Sequence, residues 1–133
     1  MPDFYALLAE KAIYATATVA AGAANISEVT ITSRDGNGKP VGNVIMDLFL
    51  SDSAVGNGYS AATASGAVTV KTAGTTGNLL FTYLAKFGLV VQTTTAGTFT
   101  LSITDTVKNL FKVCVRIDGQ VYVVATLATA SYG

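Results

Sequence analysis

The 133-residue chain contains no histidine and no tryptophan, and it has a single cysteine and two prolines. Without histidine, the commonest general base and the commonest metal ligand are both missing. A serine or threonine nucleophile needs an activating base, and no imidazole is available to serve. Because Cys114 stands alone, no intrachain disulfide can form. Flanked by Val113 and Val115, its thiol reads as a small apolar side chain rather than a reactive one.

Charge is also scarce. Asp, Glu, Lys and Arg make up 12% of the chain, against roughly 25% in typical soluble domains. Eight basic and eight acidic residues cancel, so no attraction to nucleic acid or to anionic lipid is expected. Residues 12–27 carry no charge at all, and between Ser53 and Thr104 the only charges are Lys71 and Lys86. A soluble monomer usually covers itself with charged side chains. Thr, Ser, Ala and Gly take their place here, which reads as a surface covered in part by other subunits. Long apolar runs are lacking too. The uncharged stretches are broken by Gly, Asn, Thr and Ser and never reach the ~20 residues of a membrane span. Met1-Pro2-Asp3 has no basic character, and Glu10 and Lys11 interrupt the first apolar stretch, so no secretory signal is expected. The expectation is synthesis in the cytoplasm and delivery by assembly.

What the chain does contain is β pattern. The first 25 residues stand apart. Phe4, Leu7, Leu8 and Ala12 have helical spacing, while residues 13–19 alternate like a strand and residues 20–25 read as a turn. The expected organisation is an N-terminal arm over residues 1–25, extended or with a short helical turn, and a β-domain over 26–133. Apolar groups of the arm (Phe4, Leu7, Leu8, Ile13) would order on a partner chain.

From Ile26 onward, Val29 and Ile31 alternate with threonines, and residues 34–40 form a dense turn cluster. Residues 44–50 are apolar on both faces and predict a central strand. Short strands follow around Val68–Val70, Leu79–Tyr83 and Gly88–Thr93. Phe99, Leu101 and Ile103 alternate with Thr and Ser, and Phe111, Val113, Val115 and Ile117 repeat the pattern. Asp118-Gly119 is a hairpin signal, with Val121–Ala125 returning. Seven to nine short strands separated by turns predict an all-β fold, an antiparallel β-sandwich or barrel. The last strand is apolar on both faces, and neither charge nor proline blunts it. It therefore predicts a self-association surface at Tyr122 and Val124, most simply in a homotrimer.

Candidate chemistry is thin. Lys108, Lys112 and Arg116 recur every four residues and read as a solvated sheet face. Asp35, Asp47, Asp52, Asp105 and Asp118 are scattered, several of them in turns. Asp35-Gly36-Asn37-Gly38 offers two side-chain oxygens but no distal Glu, which falls short of a calcium loop. No dinucleotide or phosphate-loop glycine pattern is present. No catalytic residue, cofactor, metal or small-molecule substrate is assigned.

Two stretches carry a resemblance. Residues 29–44 (VTITSRDGNGKPVGNV) are similar to the opening of bacterial and phage Ig-like domains, a strand, a D-x-x-G-x-P-V turn and a second strand. Residues 95–106 (TAGTFTLSITDT) resemble the late G-x-[FY]-x-[LV]-x-[IV] strand of the same domains. With Ala15–Asn25 and the ATASYG ending, the chain resembles small virion proteins of tailed phages. That resemblance implies an Ig-like or related sandwich and a structural role as a capsid decoration (cement) protein. The implied partner is the major capsid protein on the virion surface. Its alternative is an Ig-like receptor- or carbohydrate-binding module of a tail or fibre, with aromatics such as Tyr59 and Tyr83 exposed to sugars.

Overall fold

The computed structural model describes residues 11–133. It is all-β, and its nine strands form two packed antiparallel sheets. The strands are β1 (Tyr14–Ala21), β2 (Ile26–Arg34), β3 (Ile45–Ser51), β4 (Val68–Val70), β5 (Asn78–Leu84), β6 (Gly88–Gln92), β7 (Thr98–Thr104), β8 (Lys112–Ile117) and β9 (Gln120–Thr126). One sheet has the order β1-β2-β7-β4 and the other β5-β6-β3-β8-β9. Residues 44–50 were expected to be central, and β3 lies in the middle of the larger sheet.

Alternation decides which side chains meet between the sheets. Val29 and Ile31 of β2 and Phe99, Leu101 and Ile103 of β7 face inward from one side. Met46, Leu48 and Leu50 of β3, Leu89 and Val91 of β6, and Val113, Val115 and Ile117 of β8 face them. Fully burying each such side chain is worth about 1.5–3 kcal/mol. Ser27 also lies on the buried side of β2, yet its hydroxyl has no hydrogen-bond partner. An orphaned buried hydroxyl costs about 1–3 kcal/mol. Ser27→Ala is therefore expected to raise stability by ~1 kcal/mol, read as a later urea midpoint at unchanged slope.

Turn chemistry fixes the registers. Asp118 (φ 52°) and Gly119 (φ 76°) are both left-handed, as a two-residue hairpin with the twist of its strands requires. Ile117 therefore pairs with Gln120. In the 34–40 turn, Asp35 Oδ1 accepts the N–H groups of Asn37 (2.8 Å) and Lys39 (3.0 Å). That aspartate works as a turn former.

The expected arm boundary at residue 25 moves toward the N-terminus. β1 pairs with β2 in unbroken register, from Tyr14 opposite Arg34 to Ala21 opposite Ser27. Ile13, half-buried, extends the ladder by donating its N–H to the Arg34 carbonyl at 2.9 Å. Residues 13–21 therefore belong to the sandwich. β1 also lies along β9 and closes that side of the two sheets. Its Ala- and Thr-rich composition hid this role, because an edge strand is held largely by main-chain bonds. Phe4, Leu7 and Leu8 lie outside the described residues.

Candidate functional site

Two features of the larger sheet stand out, a cleft on its outer face and an uncovered edge. The cleft starts with β3. Met46, Leu48 and Leu50 point into the core, so Asp47 and Phe49 point out. Asp47 is the one charge in an otherwise apolar strand. Register places Arg116 of β8 directly opposite it. The Arg116 Nη1 donates to Asp47 Oδ2 at 3.3 Å, and the guanidinium carbon lies 5.9 Å from the centre of the Phe49 ring.

Phe49 is buried although it faces away from the core. The loop between β3 and β4 folds back over it. The Asp52 carboxylate holds that loop, accepting the Ser60 hydroxyl (2.8 Å) and the Ala61 N–H (2.7 Å). The Ala61 bond first and the Ser60 bond second hold the Asp52 carboxyl below the usual range, against a small opposing effect of burial. Tyr59 of the same loop meets Phe49 edge-on, with ring centres 6.0 Å apart, and contacts Phe87 at 6.4 Å.

The third wall is Tyr83 of β5. It sits at a register shift between Thr82 and Leu84, and its ring lies across the backbone of Gly88. A Cβ at position 88 would fall 2.4 Å from ring carbons Cε2 and Cζ, so glycine is what lets the ring lie flat. The Tyr83 hydroxyl then donates to Asp47 Oδ1. Burial, that bond and the neighbouring Tyr59 hydroxyl push the Tyr83 phenol well above its ordinary range, so it stays protonated. Asp47, Phe49, Tyr59, Tyr83 and Arg116, with the backbone at Gly56 and Gly58, line an open cleft of about 160 Å³.

The uncovered edge is β5. Beside it the smaller sheet ends in β4, only three residues long. β1 lies along β9 on one side of the sandwich, and on this side only the short β4 approaches β5. Leu80, Phe81, Tyr83 and Leu84 are 39–57% exposed, and Ile45 on the outer face is 61% exposed. No charge lies between Lys71 and Lys86 to blunt this strand.

The expected self-association residues sit elsewhere. Tyr122 and Val124 of β9 are partly buried against the core. The second apolar face of β9 is met within the chain, since a Cβ on Gly56 would lie 2.7 Å from Val121 Cγ1. Residues 121–125 nonetheless keep intermediate exposure, so the 52–58 loop meets only part of that face. The basic stripe is also divided. Lys112 and Arg116 share the outer face of β8, while Lys108 lies in a loop with φ 58°. Asp47, Asp52 and Asp105 serve three separate networks. Among the described residues no three His, Cys, Asp or Glu side chains gather as a metal site, and no helix is long and apolar enough to cross a membrane.

Cys114 is fully buried between β8 and the 52–58 loop. Burial pushes its thiol up to about 11, with the Lys112 charge pulling weakly the other way. Thiolate is the reactive form. At pH 8 the native protein is expected to resist thiol reagents and to react stoichiometrically once unfolded in urea. Rapid labelling of the folded form would contradict the burial.

The tail- or fibre-module alternative named Tyr59 and Tyr83 as exposed aromatics, but the Asp47–Arg116 pair was missed. The available signal was a lone aspartate inside the apolar run of residues 44–50. No protein family, curated protein or solved structure matches the chain.

Proposed function

We propose that this domain is a non-enzymatic structural protein of a tailed-phage virion, a capsid decoration protein that seats on the major capsid protein as a homotrimer. The observation that carries the reading is the uncovered β5 edge, an uncharged strand of exposed Leu, Phe and Tyr side chains. A soluble monomer rarely leaves such a strand bare, because it invites pairing with other chains. In an assembly a neighbouring subunit covers it, and the scarcity of charge has the same explanation.

The Ig-like part of the reading draws support from strand order. In constant-type immunoglobulin sandwiches strands A-B-E-D face C-F-G. Here β1-β2-β7-β4 faces β3-β8-β9, which is the same order with β1 as A, β2 as B, β3 as C, β4 as D, β7 as E, β8 as F and β9 as G. The departure is the β5–β6 hairpin. It joins the larger sheet beside β3, yet it comes from between β4 and β7 in the chain.

Function here would be mechanical. Apolar area buried between subunits, at roughly 25 cal/mol per Å², ties neighbouring capsid subunits together. Quantitative mass spectrometry of purified particles tests the reading. Copies comparable in number to the major capsid protein are expected. A dozen or fewer per particle would place the chain in the tail, and its absence from particles would reject the reading.

A further inference from the structure

We propose that the cleft between Tyr59, Tyr83 and the Asp47–Arg116 pair is a binding site for a neutral saccharide. This goes beyond the structural role. The two surfaces share only Tyr83, whose ring reaches from β5 over Gly88 of β6 to a cleft centred on β3 and β8.

The cleft combines two kinds of surface that a sugar ring needs at once. Tyr83 is laid flat by Gly88, so one ring face rests on the backbone and the other is turned outward. Tyr59 is half exposed beside it. A pyranose has a patch of C–H groups that packs against such a ring. Around its rim it carries hydroxyls that donate and accept together. Asp47 and Arg116 offer an acceptor and a donor side by side, and the Tyr59 and Tyr83 hydroxyls add to them. Each Asp47 oxygen already accepts one bond and keeps further lone pairs, and Arg116 commits one of its five N–H donors to the carboxylate. A Cβ at Gly58 would meet no atom within 4 Å, so the loop side stands open for entry.

Other ligand classes fit less well. An anion would meet the Asp47 carboxylate, which already neutralises Arg116. A cation would find one carboxylate, already paired. A peptide strand needs a free sheet edge, and the cleft lies across β3 and β8, whose edges are both paired. The volume of about 160 Å³ suits one sugar unit of a longer glycan.

The test is titration of the intact protein with neutral trisaccharides of gluco, galacto, manno and N-acetylglucosamine type, and with a uronic-acid trisaccharide as the charged counterpart, at millimolar concentration, followed by backbone amide NMR. The chain has no tryptophan, so tyrosine emission gives a second readout. Saturable shifts at Gly56, Gly58, Tyr59, Tyr83 and Arg116 are expected with at least one sugar. Tyr83→Ala and Asp47→Asn are each expected to weaken binding tenfold or more. Tyr83→Phe keeps the ring and serves if Tyr83→Ala fails to fold. It should weaken binding less than Asp47→Asn, because only the hydroxyl is lost. Silence of the cleft amides toward every sugar would overturn the proposal. So would binding that survives both Asp47→Asn and Tyr83→Phe unchanged, or binding of acidic sugars alone.

Discussion

Deleting residues 2–25 is expected to unfold the domain or leave it close to unfolding. The deletion removes β1, which contributes eight residues in register with β2. It also uncovers the β1/β9 side of the sandwich, where Ala15 is buried and Ala17 packs on the core. The Asn25 N–H that donates to the Gly133 carbonyl at 2.7 Å goes as well, loosening the C-terminus. Ladder bonds are worth about 0.5–1.5 kcal/mol each after competition with water. With the lost packing included, the expected cost is roughly 3–6 kcal/mol, a large share of a total of about 5–15 kcal/mol. Urea denaturation followed by far-ultraviolet circular dichroism measures it. A truncated chain that melts at the wild-type midpoint would show β1 to be a dispensable appendage.

Asp105→Ala is the second large effect, with an expected loss of about 3 kcal/mol or more. Asp105 is completely buried at the end of β7. Its carboxylate accepts the N–H groups of Ser65 (3.3 Å), Val107 (3.1 Å) and Asn109 (2.9 Å), and also the Asn109 side-chain amide (2.8 Å). Its own N–H donates to Asn25 at 2.8 Å. One side chain thus pins the 105–111 loop, the Ser65 loop and the turn after β1. Tyr132 extends the same cluster by donating its hydroxyl to the Asn109 carbonyl at 2.6 Å. Truncation orphans several donors together, each of which costs about 1–3 kcal/mol when buried.

The same residue predicts an acid response. Burial alone would raise the Asp105 carboxyl, but the bonds from Asn109, Ser65 and Val107 outweigh it and hold the group below its ordinary range. The folded pKa is therefore lower than the unfolded value of about 3.9. The stabilisation is fully present above the unfolded value and is lost as pH falls through the folded one. Wild type should lose stability steeply below about pH 4. Asp105→Asn should flatten that part of the curve while lowering the plateau at neutral pH. An unchanged acid limb in Asp105→Asn would assign the response to other carboxylates, Asp52 first, since its carboxyl is also held low.

Alternation and turn residues determined most of this fold by themselves. Phe99, Leu101 and Ile103 could face only one side of a strand, and Asp118-Gly119 could close only a tight hairpin. A period of two leaves the chain no other way to bury those side chains. The same local rule failed where the deciding partner is distant in sequence. Val121–Val124 shows two apolar faces, and no local pattern reveals that one is met in part by the 52–58 loop while the other packs on the core. Ala- and Thr-rich β1 looked like an arm because the bonds that hold it to β2 are main-chain bonds, to which side-chain composition is blind. The cleft is the clearest case. Asp47 and Arg116 are 69 residues apart and Asp47 and Tyr83 are 36 apart, and only the β3–β8 register and the Tyr83 ring laid over Gly88 bring them together. Sequence determined which residues could be strands and which way they face. Pairing between distant strands, which depends on the packing of the whole core, decided what those faces meet.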